Sequence, residues 1–170
     1  MLKDRKMVTI VNPRQVVLIT CRAHMEIMGK VIEKDDIQPT AWHMPVSADP
    51  FTYAIAIGKE KYAARIIEKS KCFVVNFISH ESKDVVLFCA KHHGEHVNKM
   101  KTLNMNLLEA KNIDCPFLEI TVAHLECEVI NEMETGDHKI FFGKVVFSNQ
   151  KNEAKRLFQL DREKFTTTVD

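Results

Sequence analysis

The sequence predicts a mainly β fold, a mostly antiparallel barrel carrying a few helices. Short β-branched and aromatic runs recur along the chain, with turn residues between them. Helical patterns follow only some of these runs, so the regular strand–helix alternation of a doubly wound parallel sheet is missing. The 170 residues, 45% hydrophobic and 28% charged, suit one domain that buries its own core without disulfide or metal support. No repeat, low-complexity tract or linker divides the chain. A single domain over 1–170 is expected, with its core over about 13–148 and a C-terminal extension over 149–170.

The first element is Gln15-Val16-Val17-Leu18-Ile19-Thr20-Cys21, whose continuous hydrophobicity predicts a strand buried on both faces. A turn near Gly29 places a second strand within 23–36. Pro39, Pro45 and Pro50 then forbid a regular helix or a central strand, and a proline-fixed loop is expected. That stretch also holds the chain's one tryptophan, Trp42, and little charge. Loops normally face water, so this one either packs under another subunit or lines a site. Strand character resumes over 51–58, ending at Gly58, and residues 59–70 read as a helix with Tyr62, Ile66, Ala63 and Ile67 at helical spacing. Phe73 to Ile78 is another buried strand. Ser82 caps a helix running towards His92, and Gly94 interrupts it. Alternation returns over 117–132, and Thr135-Gly136-Asp137 turns the chain into a hairpin with residues 139–147. A short helix over 154–160 and a loose end complete the prediction.

Composition excludes several functions. A formal net charge of +1 removes bulk electrostatics as a reason to expect nucleic-acid binding. Five scattered cysteines, Cys21, Cys72, Cys89, Cys115 and Cys127, contain no CxxC pair and read as small buried hydrophobes in a reducing cytoplasm. The basic start of the chain is followed by no apolar run of signal-peptide type, and no segment is long and apolar enough to span a bilayer. A cytoplasmic protein with no membrane partner is expected.

Four places carry candidate chemistry. His92 and His96, four apart, would share one helix face as zinc ligands do, although Gly94 sits where a continuous helix is needed. The alternative is a polar helix end whose histidines meet terminal carbonyls, and no metal site is assigned. With only five glycines, none clustered, any phosphate must be met by a helix start and basic side chains. Lys59, Lys61 and Arg65 offer either that or an ordinary solvated face. Asp137 beside His138 either orients an imidazole or serves the turn. Asn76, polar in an apolar strand, either bridges backbone or faces a ligand.

Taken together, these segments resemble the flavoredoxin and flavin reductase-like family of FMN-binding split-barrel proteins. Asp36-Ile37-Gln38-Pro39-Thr40-Ala41-Trp42 is similar to the family's N-x-x-[TP]-x-[SA]-W stretch, and Pro45-Val46-Ser47-Ala48-Asp49-Pro50 to its P-x-S-x-[DE]-P continuation. Ile57 to Tyr62 resembles the strand-to-helix basic segment, and Phe73-Val74-Val75-Asn76 the F-V-V-N strand. His93-Gly94-Glu95-His96-Val97-Asn98-Lys99-Met100 resembles S-G-x-x-V-D-K-F, and Leu125-Glu126-Cys127 the L-E-C strand. Gly136-Asp137-His138 followed by Phe142-Gly143-Lys144-Val145-Val146 resembles G-D-H-x-[IL]-[FV]-x-G-x-V. The matches keep their order over about 13–148.

The resemblance implies an antiparallel split β-barrel of Greek-key type that binds FMN non-covalently. Thr40, Ala41, Trp42 and His43 would form the wall against the isoalloxazine ring. Lys61 and Lys59 would neutralise the phosphate, with Tyr62 in the same segment. Asn76, His93 and Gly94 would reach the flavin from other elements, and His138 would place NAD(P)H or another donor. It further implies a cytoplasmic homodimer with flavin at the interface. Asp36 stands where asparagine is usual, His93 where serine is, and Asn98 and Met100 where aspartate and phenylalanine are. The expected function is electron transfer by an NAD(P)H-dependent flavin reductase-like oxidoreductase. The alternatives are a non-enzymatic electron carrier for a redox protein partner and, further off, a metal-dependent hydrolase using His92 and His96.

Overall fold

A computed structural model describes residues 9–169, so the basic residues 1–6 lie outside it. Strand β1 (Arg14–Gln15) leads into β2 (Val17–Ile27). Val17, Ile19, Cys21, Ala23 and Met25 face the main core cluster, while Val16 and Leu18 join a second one. The continuous apolar run is therefore buried on both faces, as expected. Met28 and Gly29, at φ 52° and 74°, form the two-residue turn into β3 (Lys30–Thr40). Positive φ at both positions gives a turn whose twist matches that of the strands it joins.

The proline-fixed loop is corrected here. Pro39 lies within β3 and Pro45 within β4 (His43–Ala48), and only Ala41 and Trp42 separate the two strands. Both are outer strands of a seven-stranded sheet of order β3-β2-β6-β9-β10-β5-β4. An edge strand has ladder partners on one side only, so a missing N–H is tolerated there. The other members are β5 (Phe51–Gly58), β6 (Cys72–Phe77), β9 (Ala123–Thr135) and β10 (His138–Gln150), every neighbouring pair antiparallel. The β9–β10 hairpin inserts between β6 and β5, which gives the order its Greek-key character.

Closure follows from chain length. Seven strands at about 4.8 Å spacing make a flat sheet about 29 Å wide. The chain from Thr40 to His43 spans about 11 Å at most, so the sheet must curl until its edges meet. At the meeting point Ala56 N–H donates to the Trp42 carbonyl (2.8 Å) and the Thr40 hydroxyl donates to the Ala56 carbonyl (3.2 Å). The result is a mainly β, antiparallel split barrel. Its interior is packed closely at Gly143, where a Cβ would lie 2.7 Å from both Phe73 Cζ and Cys127 Cβ.

Helix α1 (Tyr62–Ser70) buries Tyr62, Ala63, Ala64, Ile66 and Ile67 against the barrel. It starts three residues later than the periodicity suggests, because Lys61 N–H closes a turn onto the Gly58 carbonyl (2.9 Å). Lys71, at φ 56°, ends it by donating its N–H to the Ile67 carbonyl (2.8 Å). Helices α2 (Lys83–Lys91) and α3 (Lys99–Thr102) cover the second cluster with Val86, Cys89 and Met100. A short hairpin of β7 (Leu107–Glu109) and β8 (Pro116–Leu118) completes that side.

The C-terminal prediction is corrected. In place of a helix and a loose end, β11 (Phe158–Asp161) pairs with β1 and with β12 (Lys164–Thr166), and Leu157 is buried in the second cluster. Pairing with β1 satisfies backbone groups that local propensity ignores. All five cysteines are free and buried. Among the described residues no helix is long and apolar enough to cross a membrane.

Candidate functional site

The point where the sheet edges meet opens onto a cavity of about 300 Å³ lined by Ala41, Trp42, His43, Met44, Ile55 and Ile140, with Arg14 at its rim. Its lining is predominantly apolar, and its volume lies at the lower end of small-molecule pockets. Ala41 also lines a smaller cavity of about 120 Å³ beside Pro39, Thr40 and Phe165. The predicted wall Thr40–His43 thus stands between two hollows.

This wall is held by hydrogen bonds and ring contacts of its own. Trp42 N–H donates to the Thr40 hydroxyl (3.0 Å), and its carbonyl is held by Ala56. The indole stacks on the His138 imidazole, centroids 4.5 Å apart at 27°, and the Arg14 guanidinium lies 5.4 Å from the indole centroid. Burial pushes the His43 imidazole below its ordinary pKa, with Arg14 acting in the same direction. Its Nε2 faces the Gln15 carbonyl at 3.0 Å and so carries the proton, leaving Nδ1 to accept from the Tyr53 hydroxyl at 2.6 Å. Burial raises the Tyr53 phenol to about 12, so it remains the donor. With both ring nitrogens engaged, His43 can offer a ligand only its ring surface.

His138, first residue of β10, pairs in register with Gly58 and Thr135. Its Nδ1 lies 2.6 Å from Asp137 Oδ1, which orients the ring and leaves Nε2 for another partner. The imidazole in turn holds the exposed Asp137 carboxyl below the usual carboxylate range. Lys59 N–H donates to the Asp137 carbonyl (3.0 Å), joining this hairpin turn to the segment before α1. Residues 42, 59 and 138, far apart in sequence, are therefore neighbours.

The predicted basic patch is balanced rather than free. Lys59 pairs with Glu134 (2.9 Å), Lys61 with Glu60 (3.3 Å) and Arg65 with Glu95 (3.0 Å). All three pairs are substantially exposed, so each contributes little and can be exchanged for another anion. Glu60 also folds over Gly58, where a Cβ would meet its carboxylate at 2.8 Å. The α1 N-terminus has no side-chain cap.

His93 donates from Nε2 to the Glu60 carbonyl (3.0 Å), which ties the turn after α2 to the same segment. Gly94 packs so tightly on the Asp36 carboxylate that a Cβ there would overlap it. Asp36 is buried and paired with Lys99 at 2.9 Å, so its charge is balanced within the protein.

Other predicted residues fall elsewhere. Asn76 is fully buried and lines neither cavity beside the wall. Its amide donates to the Leu18 carbonyl and the Thr20 hydroxyl (both 3.0 Å) and accepts from Leu118 N–H (2.9 Å), cross-linking β6 to β2 and β8. The backbone-bridging alternative is the one realised. Tyr62 belongs to the barrel core, 3% exposed, with its hydroxyl buried and unpartnered among the described residues. His92 follows the end of α2 in extended conformation, donates from Nδ1 to the Phe88 carbonyl (2.8 Å) and stacks on the Phe88 ring. It does not share a helix face with His96, so the arrangement behind the hydrolase alternative is not formed. The sequence reading missed Arg14, Tyr53 and Ile140. Only the β1–β11 pairing and the β10–β5 register bring them to the wall, and no local motif marks them.

The comparisons agree with this architecture. The family model for the flavin reductase like domain matches residues 10–168, and the chain belongs to that family. An uncharacterized protein of Archaeoglobus fulgidus is 32% identical over 129 residues, covering 76% of this chain and 72% of that protein. Among solved structures, an FMN-binding protein from Thermus thermophilus superposes with a TM-score of 0.80 at 20% identity, covering 92% of this chain and 87% of that one. A Streptomyces globisporus NADH:FAD oxidoreductase gives 0.82 at 21% identity, covering 100% and 96%. At these identities the two structures establish the shared fold.

Proposed function

We propose that this chain binds FMN and passes reducing equivalents through it as a flavin reductase-like or flavoredoxin-like oxidoreductase. The observation that carries the proposal is the preformed wall at Thr40–His43, open on an apolar cavity and joined through His138 and Lys59 to a cationic segment. An isoalloxazine ring needs an apolar surface with fixed polar edges, and a phosphate needs cations and free helix N–H groups; both kinds of surface are present and adjacent. Thr40, Ala41, Trp42 and His43 would meet the ring, and groups already ordered lose little entropy on binding. Lys59 and Lys61 would exchange Glu134 and Glu60 for the phosphate, with His93 and Gly94 closing the far side.

Bound flavin would supply the redox chemistry. His138, oriented by Asp137 and stacked on Trp42, would position a nicotinamide donor through its remaining ring nitrogen. Met44 and Val46 on β4 and Phe51 at the start of β5 are exposed on the side of the sheet edge where Met44 lines the cavity, which suits cover by a second copy in a homodimer. Five free buried thiols suit a reducing cytoplasm.

The test is titration of the purified protein with FMN and with riboflavin, followed by quenching of flavin fluorescence. FMN is expected to bind more tightly, and Lys61→Ala to weaken FMN more than riboflavin. Absence of quenching by FMN would overturn the cofactor assignment, and equal weakening of both ligands would overturn the phosphate assignment. Anaerobic bleaching of bound flavin by NADH or NADPH, with turnover of added free flavin, is expected of the reductase. Bleaching by dithionite or a reduced protein alone would identify the carrier instead.

A further inference from the structure

The turn between α2 and α3 carries a second cluster of functional side chains. His93, Glu95 and His96 each bring one ligand atom within 4.8 Å of the others. His93 donates its Nε2 proton to the Glu60 carbonyl at 3.0 Å, so its Nδ1 keeps the lone pair. That is the arrangement by which metal-binding imidazoles are oriented, one nitrogen donating to a backbone carbonyl while the other faces the ion. Nδ1 accepts from the Glu95 N–H at 3.4 Å, at the long limit of a hydrogen bond. The exposed Glu95 carboxylate is paired with Arg65 at 3.0 Å.

The backbone that presents these groups is itself fixed. His96 N–H and Val97 N–H both donate to the His93 carbonyl at 3.1 Å, and Gly94 is packed against buried Asp36. We propose that His93, Glu95 and His96 form a site for a divalent transition-metal ion of the zinc class. Two imidazoles and one carboxylate are the donor set of open zinc sites, with a fourth position left for solvent. Magnesium and calcium, which take oxygen ligands, do not match it. Ligand atoms around a tetrahedral zinc ion lie about 3.4 Å apart. Rotation of the exposed Glu95 and His96 side chains closes the present spread, with Glu95 leaving Arg65 for the ion.

The experiment is a Co²⁺ titration of untagged, chelator-stripped, flavin-free protein, read by visible d–d absorption and followed by Zn²⁺ competition. One Co²⁺ per chain is expected, displaced by Zn²⁺ and unaffected by millimolar Mg²⁺. His96→Ala and His93→Gln should each weaken Co²⁺ binding by about tenfold or more, with circular dichroism unchanged, while His92→Ala binds as the native chain does. Absence of saturable binding, unchanged binding in the His93→Gln/His96→Ala double variant, or loss in His92→Ala would each overturn the assignment. The readout involves no flavin, so it is independent of the proposed redox function.

Discussion

Substituting methionine for Lys99 removes the cation paired with Asp36 while keeping the side-chain length. The Lys99 Nζ lies 2.9 Å from Asp36 Oδ1 and also donates to the Ile37 carbonyl, with the two side chains only 1% and 2% exposed. At an effective dielectric of about 20, opposite charges at that separation attract by about 6 kcal/mol before desolvation is counted. Breaking a buried pair from one side costs about 3–5 kcal/mol, a large part of the about 5–15 kcal/mol that holds a domain folded. Burial already raises the Asp36 pKa, and Lys99 opposes that rise. In Lys99→Met the carboxyl therefore rises further and folds neutral at mildly acidic pH. The deficit relative to the native chain is then largest at pH 8 and shrinks as pH falls towards 5. Urea unfolding of flavin-free protein at both pH values measures it, and Asp36→Asn/Lys99→Met, which leaves no unpaired charge, should recover most of the loss. A deficit below about 1 kcal/mol, equal deficits at both pH values, or a double variant no better than the single one would refute the reasoning.

Other predictions concern two further buried polar groups, His124 and Asn76. His124 is stacked on Phe117 at 4.2 Å with both ring nitrogens lacking a hydrogen-bond partner among the described residues, and burial lowers its pKa despite Glu126 nearby. A depressed imidazole binds fewer protons folded than unfolded, so its contribution is complete above about pH 6.5 and is lost as pH falls below that value. His43 acts in the same direction. Unfolding midpoints between pH 7 and 5 should fall less for His124→Phe than for the native chain. Asn76→Ala leaves the Leu118 N–H and the Leu18 carbonyl without their side-chain partner. It should cost about 1–3 kcal/mol in urea unfolding and leave FMN affinity unchanged, since Asn76 lines neither cavity beside the wall.

Strands β2, β5, β6 and the β9–β10 hairpin were legible in the sequence because their apolar runs and turn residues act locally. The region around Pro39 and Pro45 was legible as an unusual place but not as two strands. Proline excludes a central ladder and is silent about an edge, which only the sheet order reveals. The short helix expected over 154–160 failed for a related reason, since β11 exists only because β1 lies beside it. Among candidate site residues, Thr40, Trp42 and His138 were marked by motif order, and the structure places them side by side. Asn76 carried the same kind of mark yet serves as a cross-link, because a motif records a residue and not the direction its side chain takes.

The sequence by itself marked the strands with strong apolar runs and the flavin reductase-like family to which the chain belongs. Tertiary structure decided the state of the charges and the identity of the partners. Lys59 meets Glu134 from 75 residues away, and Asp36 takes its charge partner from α3. Such pairings are set when strands distant in sequence are laid side by side and a helix packs on them. Hydrophobic periodicity acts over a few residues and specifies each strand, whereas ion pairs and cavity walls form between groups that only tertiary packing brings within reach.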